Sequence, residues 1–229
     1  MLYYKSPLTY FPARIGKAAV TYKNGLYVLS YDNKRWMGYD TNTGLQVSEF
    51  SIELDLAHGH CVTSGLGLGI IQTLLAENDK VTKVSVYEKN KDIIDLFYEI
   101  IEKNSVDISK IEIHNFDADL IEGISCDCMF LDHFEHEPEQ EVISRVRNIS
   151  LKNSATVLWY WPAASHYITY CLSNTKDIDN SSYQIWKDKT GINFLPTQLT
   201  ETHITDLLEL REKYLKLIPK YNNSKITIT

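Results

Sequence analysis

HCVTSGLGLGIIQTLLAENDKVTKVSVYEKN, His60 to Asn90, decides the fold. It opens on a short β-rich run and turns at once through Gly65-Leu66-Gly67-Leu68-Gly69. IIQTLLAEN then places apolar residues at helical spacing, and KVSVYE alternates as a buried strand does. Downstream, NKDIIDLFYEIIEKN carries Ile93, Ile94, Phe97, Ile100 and Ile101 on one helical face. KIEIHNF, CDCMFLD and ATVLWYW read as further strands, with EQEVISRVRNIS as a helix before the last of them. Strands alternating with helices in this order predict an α/β fold, a Rossmann-like, mostly parallel sheet with helices on both faces.

Upstream the pattern is different. KAAVTYKNGLYVLSYD holds two β-rich runs joined at Asn24-Gly25, a strong two-residue hairpin signal, and a third short run follows around Arg35 to Tyr39. Residues 1–56 are therefore expected to form a small N-terminal β-hairpin region, and residues 57–229 the Rossmann-like domain. Periodicity leaves Ser51 to Leu56 open between a helix and a short strand. Beyond Pro162, AASHYITYCLSN reads as a helix, SSYQIWKD as a strand, ETHITDLLELREKYLKLI as an amphipathic helix and the terminal KITIT as a closing strand.

Composition narrows the function classes. The 229 residues carry a formal charge of -7, with 44% hydrophobic and 23% charged residues, which is ordinary globular usage. A chain this acidic has no overall footprint for nucleic acid. No apolar run approaches the roughly 20 residues of a membrane span. MLYYKSPLTYFPARIG lacks a cationic start followed by an apolar core, so no signal peptide is expected and the product reads as soluble and cytoplasmic. Cys61, Cys126, Cys128 and Cys171 read as core thiols, and neither His58-Gly-His60 nor His133-Phe-Glu-His136 has the spacing of a helical metal face.

Four of the ten glycines, Gly59, Gly65, Gly67 and Gly69, crowd the first strand-to-helix junction. In an open α/β sheet, ligands bind beyond the C-terminal strand ends at the topological switch point, where glycine lets backbone approach the ligand and a helix N-terminus offers free N–H groups. No Gly-Lys-Ser/Thr follows, which excludes a phosphate-cradling P-loop, and Ile70 stands where a dinucleotide fingerprint wants its last glycine. Glu88 ends the next strand, where an acid can take both hydroxyls of a ribose. Asp117-Ala118-Asp119 follows the third strand, where an acid can accept from an adenine amino group. Asp132 closes the fourth, facing the same rim. Trp159-Tyr160-Trp161 ends the fifth, where aromatics either wall an acceptor pocket or fill the core.

From Lys34 to Trp161 these residues resemble the class I S-adenosylmethionine-dependent methyltransferase superfamily, especially its spermidine-synthase-like branch. The resemblance rests on GLGLG, Glu88 in VSVYEKN, Asp117-Ala118 in IHNFDAD, Asp132 in MFLDHF, and the hairpin-rich segment ahead of them. It implies S-adenosyl-L-methionine as cofactor, with Gly65, Gly67 and Gly69 at its amino-acid part, Glu88 at the ribose, and Asp117 and Ala118 at the adenine. Thr63 stands where the superfamily usually has an acid for the methionine end. Asp132 and His133, beyond the strand end where an acceptor arrives, are the candidate catalytic residues. The acidic loop HFEHEPEQE does not reproduce the polyamine-holding pattern of the spermidine synthases. The expected function is thus methyl transfer to a small-molecule acceptor. Aminopropyl transfer from decarboxylated cofactor to a polyamine, and a non-catalytic nucleoside-binding role, stay open beside it. No nucleic-acid or membrane partner is expected, and the N-terminal strands offer an edge for a homodimer.

Overall fold

The computed structural model describes residues 6–40, 50–134 and 137–221. Its first unit is a four-stranded antiparallel sheet of β1 (Ala13–Ile15), β2 (Ala18–Lys23), β3 (Leu26–Tyr31) and β4 (Lys34–Asp40), each strand pairing with the next. Asn24 and Gly25 form the β2–β3 turn with φ of 52° and 84°. Positive φ at both central residues gives the turn whose twist matches the strands it joins.

Residues Ser51–Leu56 form a helix, α1, which resolves the ambiguity of that segment. The chain then enters a second sheet through β5 (Gly59–Ser64), α2 (Ile70–Glu77), β6 (Val81–Glu88), α3 (Lys91–Asn104), β7 (Ile111–Asn115), β8 (Ser125–Leu131), α4 (Glu139–Lys152) and β9 (Ser154–Tyr160). The five strands lie in the order β7-β6-β5-β8-β9 and every pair is parallel. The chain starts at the centre, winds outward through β6 and β7, and returns to lay β8 on the other side of β5. The switch point of the sheet is therefore the β5–β8 boundary.

Central strands account for the hydrophobic runs. Cys61, Val62, Val84, Val86, Cys128 and Leu158 have no accessible surface, as expected of strands covered on both faces. On α3, Ile93, Phe97 and Ile100 are each 1% exposed, and each such burial contributes on the order of 1.5–3 kcal/mol. The same helix receives the first sheet, packing against β1 and β2. Lys17 N–H donates to Asp92 at 2.8 Å, Thr9 N–H donates to Asn104 Oδ1 at 2.8 Å, and the Tyr10 hydroxyl donates to Leu68 O at 3.1 Å. These bonds dock the N-terminal unit against α3 and against the glycine turn ahead of α2.

Three helices follow, α5 (Ala163–Ser173), α6 (Asn180–Thr190) and α7 (Glu201–Tyr221). The strand expected over SSYQIWKD is a correction: it lies within α6. The Asp179 side chain caps that helix by accepting from Ser182 N–H at 2.7 Å. Tyr183 and Trp186, at helical spacing, are buried against Tyr167, while Ile185, which strand alternation would pair with Tyr183, is 41% exposed. The KITIT segment lies outside the described residues. Among the described residues no helix is long and apolar enough to cross a membrane.

Candidate functional site

A cavity of about 660 Å³ opens between the C-terminal ends of the parallel strands and the lid formed by β3 and β4. Small-molecule sites span about 300–1,000 Å³. Gly65, Gly67 and Gly69 turn the chain from β5 into α2 with φ of 75°, 52° and 75°, a region closed to most side chains. Gly65 is also pinned sterically: a Cβ there would come 2.0 Å from the backbone oxygen of Asp132. A Cβ on Gly67 would meet Met37 Sδ at 2.6 Å, and Leu68 N–H donates to the same sulfur at 3.2 Å. The lid strand thus touches the glycine turn directly.

Each acid of the rim stands at its expected strand end, and the protein holds each in place. Glu88, 5% exposed, accepts Leu66 N–H on Oε2 at 3.0 Å and both the N–H and the side-chain amide of Asn90 on Oε1 at 2.7 and 3.0 Å. A carboxylate has about four acceptor positions, so one remains after these three. Asp117 Oδ1 accepts Asp119 N–H at 3.1 Å and caps the 3₁₀ turn Ala118–Leu120. Ala118 lies on the cavity wall. Asp132 N–H donates to both the carbonyl and the hydroxyl oxygen of Ser64, each at 3.0 Å, which fixes the end of β8 against β5.

His133 lines the cavity, but both its ring nitrogens are engaged. The Ser64 hydroxyl donates to Nδ1 at 2.5 Å, and Nε2–H donates to Asp119 Oδ1 at 3.1 Å. Arg145 of α4 donates to both Asp119 oxygens, at 3.1 and 2.6 Å, and to Glu137 Oε1 at 2.5 Å. The His133 bond, with Arg145 behind it, holds the Asp119 carboxyl well below the ordinary range against the opposing effect of burial. The chain Ser64–His133–Asp119–Arg145 ties the glycine turn, the β8 loop and the turn after β7 into one frame. A proton-accepting role for His133 requires surrendering one of its two bonds.

Thr63 is 1% exposed and is not among the residues that line the cavity. Its hydroxyl accepts from Gln72 Nε2 at 3.4 Å, and the same amide nitrogen donates to Gly65 O at 2.8 Å. Gln72 does line the cavity, and its Oε1 is buried without a hydrogen-bond partner among the described residues. Trp159 is 1% exposed and belongs to the core, whereas Trp161 lines the cavity. Sequence reasoning missed Gln72, Met37, Ser64 and Arg145. For Gln72 a signal existed, since it and Thr73 are the two polar residues within the apolar first turns of α2. The other three meet the site only through the fold. The four cysteines are unpaired; burial first, then its acidic neighbours, pushes the Cys126 thiol up to about 12.

No family model matches the sequence, and no curated protein matches it. Solved structures do resemble the fold. A mutant of MtNAS is 21% identical over 51% of this chain and 42% of its own, with a TM-score of 0.37. Phosphoethanolamine N-methyltransferase 1 of Haemonchus contortus, in complex with phosphoethanolamine and S-adenosylhomocysteine, is 20% identical over 49% of this chain and 25% of its own, at a TM-score of 0.38. The 23S rRNA methyltransferase ErmE is 15% identical over 51% of this chain and 44% of its own, at a TM-score of 0.39. The chain spans less than half the length of each of these three proteins.

Proposed function

We propose that the chain is an S-adenosylmethionine-dependent methyltransferase acting on a small-molecule acceptor. The observation that carries this reading is the position of Glu88, at the cavity end of β6 beside the glycine turn, with an acceptor position left over for a ribose hydroxyl. The rest of the donor and acceptor set fits the same ligand. Asp117 and Ala118 flank the place of an adenine ring. Gln72 Oε1 is a buried acceptor that the ammonium group of an amino-acid tail would complete, and the flexible Met37 thioether over Gly67 is the group such a tail would displace.

When bound, the cofactor supplies an electrophilic methyl group on a sulfonium. The chain's own contribution is alignment and exclusion of water, the main demands of an in-line displacement. Asp132, Phe134 and Trp161 line the β8–β9 side of the cavity, where an acceptor would lie, and Asp132 is the residue we assign to an acceptor proton.

Calorimetric titration tests the reading. Adenosylmethionine and adenosylhomocysteine are expected to bind, with affinity falling at least about tenfold in Glu88→Gln. That variant keeps the volume, and its unfolding midpoint separates lost binding from lost structure. Preference for decarboxylated adenosylmethionine would move the assignment to aminopropyl transfer. Absence of binding by all three ligands would overturn it.

A further inference from the structure

The cavity's acids, Glu88, Asp117 and Asp132, all stand on the strand-end side together with one cation, Lys89, while the β3–β4 lid contributes two cations, Lys34 and Arg35, and no acid among the described residues. Neither lid cation has an ion pair among the described residues. Inside a cleft with apolar walls such charges act at longer range than on open surface.

The lid backbone is shaped for one of them. Gly38 needs no unusual conformation, yet a Cβ there would come 2.7 Å from Arg35 Nη2. The missing side chain leaves the guanidinium room to lie along β4 at the cavity wall. Its planar fork matches carboxylate and phosphate oxygens. Between the cations and the strand ends the wall is aromatic, with Trp36 on the lid and Phe50, Phe134 and Trp161 facing it.

We propose that the acceptor side of the cavity takes a flat molecule bearing an anionic group, a carboxylate or a phosphate, whose charge is read by Lys34 and Arg35. The proposal rests on the cofactor reading above only for the division of the cavity into two halves. It predicts an acceptor of opposite charge to a polyamine.

Matched naphthalene probes test it, read by their fluorescence polarisation: 2-naphthoate, 2-naphthyl phosphate and 2-(aminomethyl)naphthalene. At least one anionic probe is expected to bind about tenfold or more tighter than the amine, and comparison of the two anions tells carboxylate from phosphate. The preference should vanish in the Lys34→Gln/Arg35→Gln double variant. It should shrink in Gly38→Ala, which displaces the guanidinium and leaves the charge. Circular dichroism reports whether each variant is folded. Equal or tighter binding of the amine, no preference, or a preference that survives the double variant would each overturn the proposal. Adenosylhomocysteine titrated on the wild-type chain separates the two readings. If it binds while the anions show no advantage, the acceptor proposal alone falls. If it fails to bind while the anions keep their advantage, the cofactor reading falls and the anion site stands.

Discussion

Glu88, Asp117 and His133 on the parallel sheet are held by hydrogen bonds within the protein, while on the antiparallel lid Met37 reaches the glycine turn through its thioether and Lys34 and Arg35 line the cavity without ion pairs among the described residues. The parallel sheet spends three N–H donors on one carboxylate and two partners on one imidazole. The lid offers a thioether, a weak acceptor, and two cations without ion pairs among the described residues. One side is therefore set before a ligand arrives, and the other can rearrange around it.

The sharpest way to break that contrast is to put the same methyl group on both sides of the glycine turn. Gly65→Ala drives a Cβ into the Asp132 backbone, so we expect a loss of about 3 kcal/mol or more in urea denaturation. Gly67→Ala meets the end of the flexible Met37 side chain and should cost about 1 kcal/mol, chiefly from positive φ. Similar losses at the two positions would mean that the lid is as rigid as the sheet.

The next effect is a pH dependence confined to the sheet and its helices, since residues 6–40 contain no histidine. Tyr160 ends β9, and its hydroxyl lies 3.2 Å from Nδ1 of the buried His166. Burial holds His166 down at about 4, against about 6.5 in an unfolded chain. Between those values the unfolded state binds a proton that the folded state does not, so stability is full above the upper value and falls as pH drops toward the lower. About 2 kcal/mol should be lost between pH 7.5 and 5. His166→Gln, which keeps an acceptor for Tyr160, should remove that part of the slope. An unchanged slope would show that His166 is not its source.

Smallest is Met37→Ala. Removing a half-buried, flexible side chain from the lid should cost about 1 kcal/mol or less and leave the cooperativity of unfolding intact. A loss nearing that of Gly65→Ala would erase the distinction between the two sheets.

What was legible in the sequence was whatever sits close along the chain. The Asn24-Gly25 turn, the glycine turn after β5 and the acids at the ends of β6, β7 and β8 depend on neighbours within a few residues, and the structure places each at the expected strand end. The bracing of His133 joins Ser64, Asp119 and Arg145 from three separate elements, and no local pattern announces it. Thr63 stands two residues before the first glycine, where the resemblance implies a contact to the methionine end; it is buried and its hydroxyl bonds Gln72, the residue that lines the cavity beside it. SSYQIWKD misled. Its aromatic and β-branched residues favour strands in isolation, and the Asp179 cap with the Tyr183–Trp186 spacing outweighs that preference once α5 is there to pack against.

The Asn24-Gly25 turn has a consequence in time. Each residue of β2 pairs with one a short way along the chain, from Lys23 opposite Leu26 to Ala18 opposite Tyr31, and such a hairpin closes in about 1–10 μs. Central pairs such as Cys61 and Cys128 must wait for β6, α3 and β7 to be threaded between them, and long loops of this kind slow folding. The lid ladder is then expected to be sampled early but to persist only when α3 arrives to cover it. Asn24→Ala should leave the folding rate nearly unchanged and speed unfolding, as stopped-flow chevrons would show.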